Sequence, residues 1–220
     1  MTHSETLHLK EIRESPRRPG RFLLSLSDGR QLVVTLAVLA DTGATRAGIA
    51  LSEAVLSRLL HEHVITELAD RALDALARGR RTRRELELRL RKREATAVQI
   101  AEALARLEQA GLLSDERVAQ AEAASRLRRG EAPARVRQQL RRKGVEGSIV
   151  ADAVADAIND DGFDETAACR AVAEKRARTL RTDEPAAAQR KLLGFLLRRG
   201  YGGGIARQVV RDVLGTHRNE

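Results

Sequence analysis

The sequence predicts a mostly α-helical protein: three tandem three-helix repeats forming an elongated curved array, preceded by a small N-terminal β-hairpin-plus-helix module. Three stretches predict the repeats. Glu85–Glu94 (ELELRLRKRE), Arg135–Gly144 (RVRQQLRRKG) and Lys191–Gly200 (KLLGFLLRRG) each carry a leucine-bearing helix face, a basic run and a turn. Superposed on their last residues, they align Leu86 with Val136 and Leu192, and Leu90 with Leu140 and Leu196. Downstream, Ile100, Val150 and Ala206 coincide, then Leu104, Val154 and Val210. A period of roughly 50 residues is in the range of helical repeats, which build long surfaces rather than pockets. Composition agrees. Ala, Leu, Arg and Glu dominate the middle of the chain and favour helix. Only Phe22, Phe163, Phe195 and Tyr201 are aromatic, so the core must be aliphatic.

The elements follow in order. Residues 1–20, with Pro16 and Pro19, read as a disordered or loosely ordered tail. Arg21–Leu26 and Arg30–Val38 flank Asp28-Gly29, a hairpin signal because Gly accepts positive φ. Ser52 can cap a helix starting at Glu53, which completes a module over 21–65. The first repeat, 66–111, has helices near 66–78, 83–93 and 97–110. Thr82/Glu85 and Thr96/Gln99 form capping boxes, in which each end satisfies the other's free backbone amide. The second, 112–161, opens at Ser114 or Asp115, with helices near 115–129, 133–143 and 147–159. The third, 162–216, opens at Asp164, with helices near 165–180, 184–199 and 203–214. Pro133 and Pro185 suit first turns, and Gly111, Gly130 and Gly144 suit helix ends.

The net charge of +9 is unevenly placed. Arg71–Lys143 holds 20 Lys/Arg against 10 Asp/Glu, so the rest sums to −1. A central basic segment predicts a polyanionic partner, nucleic acid or an acidic protein groove. Cys169 is the sole cysteine, which excludes an internal disulfide, and it reads as a small core residue. The N-terminus lacks an apolar signal region and no apolar run approaches a membrane span, so a soluble cytoplasmic protein with no membrane contact is expected.

Catalytic readings fail on their geometry. Gly200-Tyr201-Gly202-Gly203-Gly204 follows a helix rather than a strand and lacks the Gly-Lys-Ser/Thr ending of a phosphate loop. A helix cap is expected there. His61 and His63 are two apart and point to different sides of a helix, so no metal site is expected. No catalytic residue and no cofactor are assigned.

Four stretches stand in order: Arg78, Thr82, Glu85, Leu86 and Leu90; Leu112–Ala119 (LLSDERVA); Arg126, Arg129-Gly130, Pro133, Val136, Leu140 and Lys143-Gly144-Val145; and Phe195–Tyr201 (FLLRRGY). Together they resemble the RecX family, bacterial regulators of the RecA recombinase. The first is similar to its first-repeat pattern, the second to its entry to the second repeat, the third to its next signature and the last to its closing one. The resemblance covers about residues 66–214, and the hairpin module is similar to one in some family members. The departures are Thr82 for Ser, Val118 for Phe, Glu94 for Gly and Tyr201 for Phe.

The resemblance implies a non-enzymatic modulator active in homologous recombination, DNA repair and the SOS response. It would lie along the groove of the RecA–DNA filament, bridge protomers and lower strand exchange, ATP hydrolysis and co-protease activity. Arginine suits either acidic side chains or phosphates, because its planar fork bonds both bidentately. The candidate contact residues are Arg83, Arg84, Arg89, Arg91, Lys92 and Arg93 in the first repeat. In the second they are Arg128, Arg129, Arg135, Arg137, Arg141, Arg142 and Lys143, and in the third Arg198 and Arg199. Direct, sequence-independent binding to single- or double-stranded DNA is the competing account of the same charge, weak for single strands because aromatic platforms are scarce. A monomer is expected. A nuclease would need carboxylates converging on the basic face.

Overall fold

The computed structural model describes residues 7–92, 95–160, 162–180 and 184–216. These fold as a three-stranded antiparallel sheet and ten helices. The strands are β1 (Leu9–Glu14), β2 (Arg21–Leu26) and β3 (Gln31–Thr35). The helices are α1 (Leu36–Thr42), α2 (Glu53–Ala77), α3 (Arg83–Leu90), α4 (Ala97–Gln109), α5 (Asp115–Arg128), α6 (Pro133–Arg142), α7 (Gly147–Asp160), α8 (Glu165–Ala177), α9 (Pro185–Arg198) and α10 (Gly203–Thr216). Two compact units divide the chain. One runs to Arg81 and resumes over Leu86–Leu113; the other is Thr82–Glu85 with the residues from Ser114 onward.

In the first unit the predicted hairpin forms, pairing Leu24 with Leu32 and Phe22 with Val34. Gly29 takes φ +89°, and the Asp28 carboxylate accepts from the Arg30 amide at 3.0 Å. Three expectations are corrected here. Part of the N-terminal tail is the edge strand β1, paired with β2 from Leu9↔Leu26 to Glu14↔Phe22. Its signal was weak because only Leu9 is buried, and its other residues are exposed or half-buried. The second hairpin strand ends at Thr35, where the chain turns into α1, which buries Val38 and Leu39 and ends on Gly43 at φ +69°. Leu36-Ala37-Val38-Leu39 carries no period that separates a strand from a short helix.

The third correction concerns α2. No break divides the hairpin module from the first repeat near Ile65: one helix runs from Glu53 to Ala77. No Gly or Pro interrupts this stretch. The Thr66 hydroxyl donates to the Glu62 carboxylate one turn back, so a residue that could have started a helix continues one. Along α2, Leu59 packs into the sheet's core with Leu24, Leu32 and Val34. Farther on, Ile65, Leu68 and Ala72 pack into a second core with Leu86, Leu90, Ile100 and Leu104.

Glu62, fully buried, joins these layers. It accepts from Arg106 Nη1 and Nη2 at 2.9 and 2.8 Å and from the hydroxyls of Thr35 and Thr66 at 2.9 and 3.1 Å. Burial pushes its carboxyl up, but the Arg106 fork and the Thr35 hydroxyl outweigh that and hold it below the usual range. The two histidines part as expected. His61 Nε2 meets Glu102 at 2.8 Å, and His63 Nδ1 accepts from the Val33 amide at 3.0 Å.

The second unit holds two three-helix cores. Val136, Leu140, Val150 and Val154 centre that of α5–α7; Leu192, Leu196, Ala206 and Val210 centre that of α8–α10. All twelve positions that superpose in the sequence are buried, counting Leu86, Leu90, Ile100 and Leu104. Ser114, rather than Asp115, caps α5, accepting from Arg117 N at 3.1 Å; the Asp115 carboxylate instead accepts from Arg83 N at 2.8 Å. Asp164 caps α8. Cys169 lies fully buried beside Ala173 and Leu192, and burial pushes its thiol up to about 11, so it stays protonated at neutral pH.

Two seams in the second unit share one construction. At each, the end of a basic second helix rests on the start of an equivalent helix. The Lys143 carbonyl accepts from the Thr82 hydroxyl at 2.7 Å, while Gly144 lies against the Arg84 side chain. At the other, the Arg199 carbonyl accepts from the Ala132 amide at 3.1 Å, while Gly200 lies against Arg135. A Cβ on Gly200 would stand 2.5 Å from Arg135 Cβ, and one on Gly144 2.6 Å from Arg84 Cβ.

Candidate functional site

The structure sorts the fifteen sequence-predicted basic residues into those that hold the fold and those that face outward. Five of them are engaged in the second unit. Lys143 Nζ meets Glu122 and lies 3.8 Å from Glu85. Arg135 donates to the Arg198 carbonyl and faces Glu131 at 3.5 Å. Arg199 donates to the carbonyls of Arg129 and Gly130 at 2.7 and 3.2 Å and sits 5.2 Å from the Phe195 ring centroid. Arg129 donates to the Ser125 hydroxyl. The stem of Arg84 covers Gly144, with its side chain otherwise exposed.

Arg83 is half-buried on the first turn of α3, and Arg128 is exposed at the end of α5. Arg91 is exposed and paired with Glu87 at 2.6 Å, one turn back. Arg89 and Lys92 are exposed at the end of α3. Arg93 lies outside the described residues. Arg198 is exposed at the end of α9.

The remaining three, Arg137, Arg141 and Arg142, form a group. They project from α6 because Val136 and Leu140 turn the opposite face inward, the i, i+4 spacing that the sequence displayed. With Ala134 and Gln138 they line a shallow groove of about 500 Å³. Among the described residues no carboxylate lines it and none pairs with these three guanidinium groups. The equivalent faces of the other second helices differ. On α3 these places fall to Glu87, Arg91 and Lys92, of which the first two pair with each other; on α9 they fall to Leu193, the exposed Leu197 and a single cation, Arg198. A cationic set clear of carboxylates therefore marks the middle repeat.

Sequence reasoning missed two basic residues. Arg71 and Arg78 are seven apart on the last turns of α2 and so share a face with Asp74. They meet Arg89, Leu90 and Lys92 of α3 and its following turn around a cleft of about 420 Å³. The helix expected near 66–78 already carries both at a seven-residue spacing, but they lie on the first helix of the repeat, outside the second-helix basic runs that supplied the candidates. Among the described residues, no group of three or more His, Cys, Asp or Glu side chains is placed to hold a metal ion. No helix there is long and apolar enough to cross a membrane.

The fold and these surfaces define a tandem three-helix repeat protein with basic outward helix faces. Residues 114–154 match the second three-helix domain of RecX and residues 164–210 the third. The chain is 38% identical over 147 residues to the regulatory protein RecX of Chlorobaculum tepidum, spanning 66% of this chain and 88% of that protein. It is 38% identical over 135 residues to that of Streptomyces coelicolor, spanning 61% and 70%. The chain belongs to the RecX family of regulatory proteins. Its fold is that of a crystal structure of regulatory protein RecX, with a TM-score of 0.69 at 19% identity over 92% of this chain and 98% of that one. RecX from Lactobacillus salivarius gives 0.56 at 24% identity over 68% and 96%.

Proposed function

We propose that this protein binds the RecA–DNA nucleoprotein filament along its groove and lowers the recombinase, ATPase and co-protease activities of RecA. Membership of a family of regulatory proteins carries this reading. The α6 face supports it, with three arginines that pair with no carboxylate among the described residues and so suit an acidic partner surface. Successive repeats would engage neighbouring filament subunits, and weak contacts would add through effective concentration.

The test is RecA ATP hydrolysis on single-stranded DNA with this protein titrated in below stoichiometry. Inhibition well below one copy per RecA is expected. Replacing Arg137, Arg141 and Arg142 together by alanine should raise the half-inhibitory concentration about 10- to 100-fold, as removal of a few charge-assisted hydrogen bonds does. Inhibition only when the DNA is saturated would defeat the reading. It would favour general binding to the DNA backbone, to which the same three guanidinium groups are suited.

A further inference from the structure

We infer that the cleft between the ends of α2 and α3, in the first unit, is a second anion site that grips the phosphates of a nucleic-acid backbone. It shares no residue with the α6 face and does not depend on the filament reading. Among the described residues its lining is Arg71, Asp74, Arg78, Arg89, Leu90 and Lys92, around about 420 Å³. Four cations against one carboxylate leave +3. Flanking partners do not reduce this. Asp74 already takes Arg18 at 2.7 Å and Arg71 takes Glu67 at 3.4 Å, one further charge of each sign. Arg78, Arg89 and Lys92 have no carboxylate partner among the described residues.

These cations also have a structural role, which accounts for only part of the charge. α2 and α3 both end at the cleft, and cations stabilise helix C-termini. Each end is equivalent to about half a negative charge, so two ends offset about one cation of the net three. About two remain, enough to hold backbone phosphate. The burial pattern fits a surface kept for contact: Leu90 is buried beneath, whereas Arg78, Arg89 and Lys92 are all exposed.

The chemistry selects phosphate in a polymer. Among the described residues no aromatic side chain lines the cleft on which a base could stack. Helix C-termini present carbonyls rather than the amide cradle that holds a free nucleotide's phosphates. Contacts limited to charge predict sequence-independent, salt-sensitive binding.

Fluorescence anisotropy with a labelled DNA duplex, across a series of salt concentrations, tests this on the full chain. Replacing Arg78, Arg89 and Lys92 by alanine should weaken binding by at least about tenfold at low salt. It should also flatten the log–log salt dependence by roughly 2–3, at about 0.9 for each phosphate no longer neutralised. The triple lysine/arginine exchange R78K/R89K/K92R should retain the slope. Circular dichroism should match the parent, since all three side chains are exposed. An unchanged slope in the alanine variant, or no duplex binding by the parent, would overturn the site. Displacement of duplex by sodium tripolyphosphate beyond the effect of matched ionic strength would overturn the assignment to a polymer and point to free polyphosphate.

Discussion

At Gly144 the last carbonyl of a basic helix, that of Lys143, accepts from the Thr82 hydroxyl, whereas at Gly200 the equivalent carbonyl, that of Arg199, accepts from the Ala132 backbone amide. The cations differ in the same way. Lys143 reaches the carboxylates of Glu122 and Glu85. Arg199 reaches two neutral carbonyls and the face of Phe195, and the Tyr201 hydroxyl joins it on the Gly130 carbonyl at 3.1 Å. The cation at the helix end thus meets carboxylates in one seam and neutral acceptors with an aromatic ring in the other. The shared element is the glycine, which takes φ +85° at Gly144 and +91° at Gly200. A cation at an equivalent repeat position thus serves the fold in both seams, so recurrence of charge does not by itself identify a binding residue.

Substituting the glycines separates the seams most sharply. Gly200→Ala should cost about 3–4 kcal/mol, combining left-handed backbone strain with overpacking. Its new Cβ would also stand 3.2 Å from the backbone nitrogen of Arg135, which cannot swing away. Gly144→Ala should cost less, about 2 kcal/mol, because the three atoms nearest its new Cβ all belong to the Arg84 side chain, whose Cγ and Cδ can swing away although its Cβ cannot. Urea unfolding of the two variants reads this, and equal losses would break the comparison.

The first unit extends the contrast to a buried ion pair. Glu62→Gln should cost about 2 kcal/mol, below the usual range for breaking such a pair, because Arg106 is one-third exposed and keeps Glu102. The Glu62 carboxyl is depressed in the folded chain, so its contribution is complete above the ordinary value of 4.5 and is lost as pH falls through the depressed one. The stability gap between parent and E62Q should therefore close with acid below about pH 4.5. A gap that widens there would refute the assignment.

The smallest effects sharpen the chemistry of the seams. Tyr201→Phe and Lys143→Met should each cost about 1 kcal/mol. Raising salt should shrink the Lys143 effect, since its partners are charged and partly exposed, and leave the Tyr201 effect unchanged. Thermal melts at low and high salt measure both.

Much of this architecture was legible in the chain. The three aligned ladders gave the repeat cores because burial imposes one helical period on Leu86/Leu90, Val136/Leu140 and Leu192/Leu196 alike. Capping boxes gave the starts of α3 and α4, since they are local chemistry. What failed was non-local. The strand β1 is made by pairing with β2, not by its own residues. The continuity of α2 depends on what both of its halves pack against. The split among the arginines was also hidden: nothing in Arg135-Val136-Arg137 tells which guanidinium turns to the Arg198 carbonyl and which faces out.

The uninterrupted α2, about 38 Å long at 1.5 Å per residue, has a further consequence. Leu59 and Leu68 anchor two hydrophobic clusters to one ladder of backbone hydrogen bonds. Neither cluster can open far without fraying the helix that the other depends on. The sheet and the helices that follow it should therefore exchange their amide hydrogens as a single cooperative block, a foldon that crosses the boundary drawn by sequence repeats.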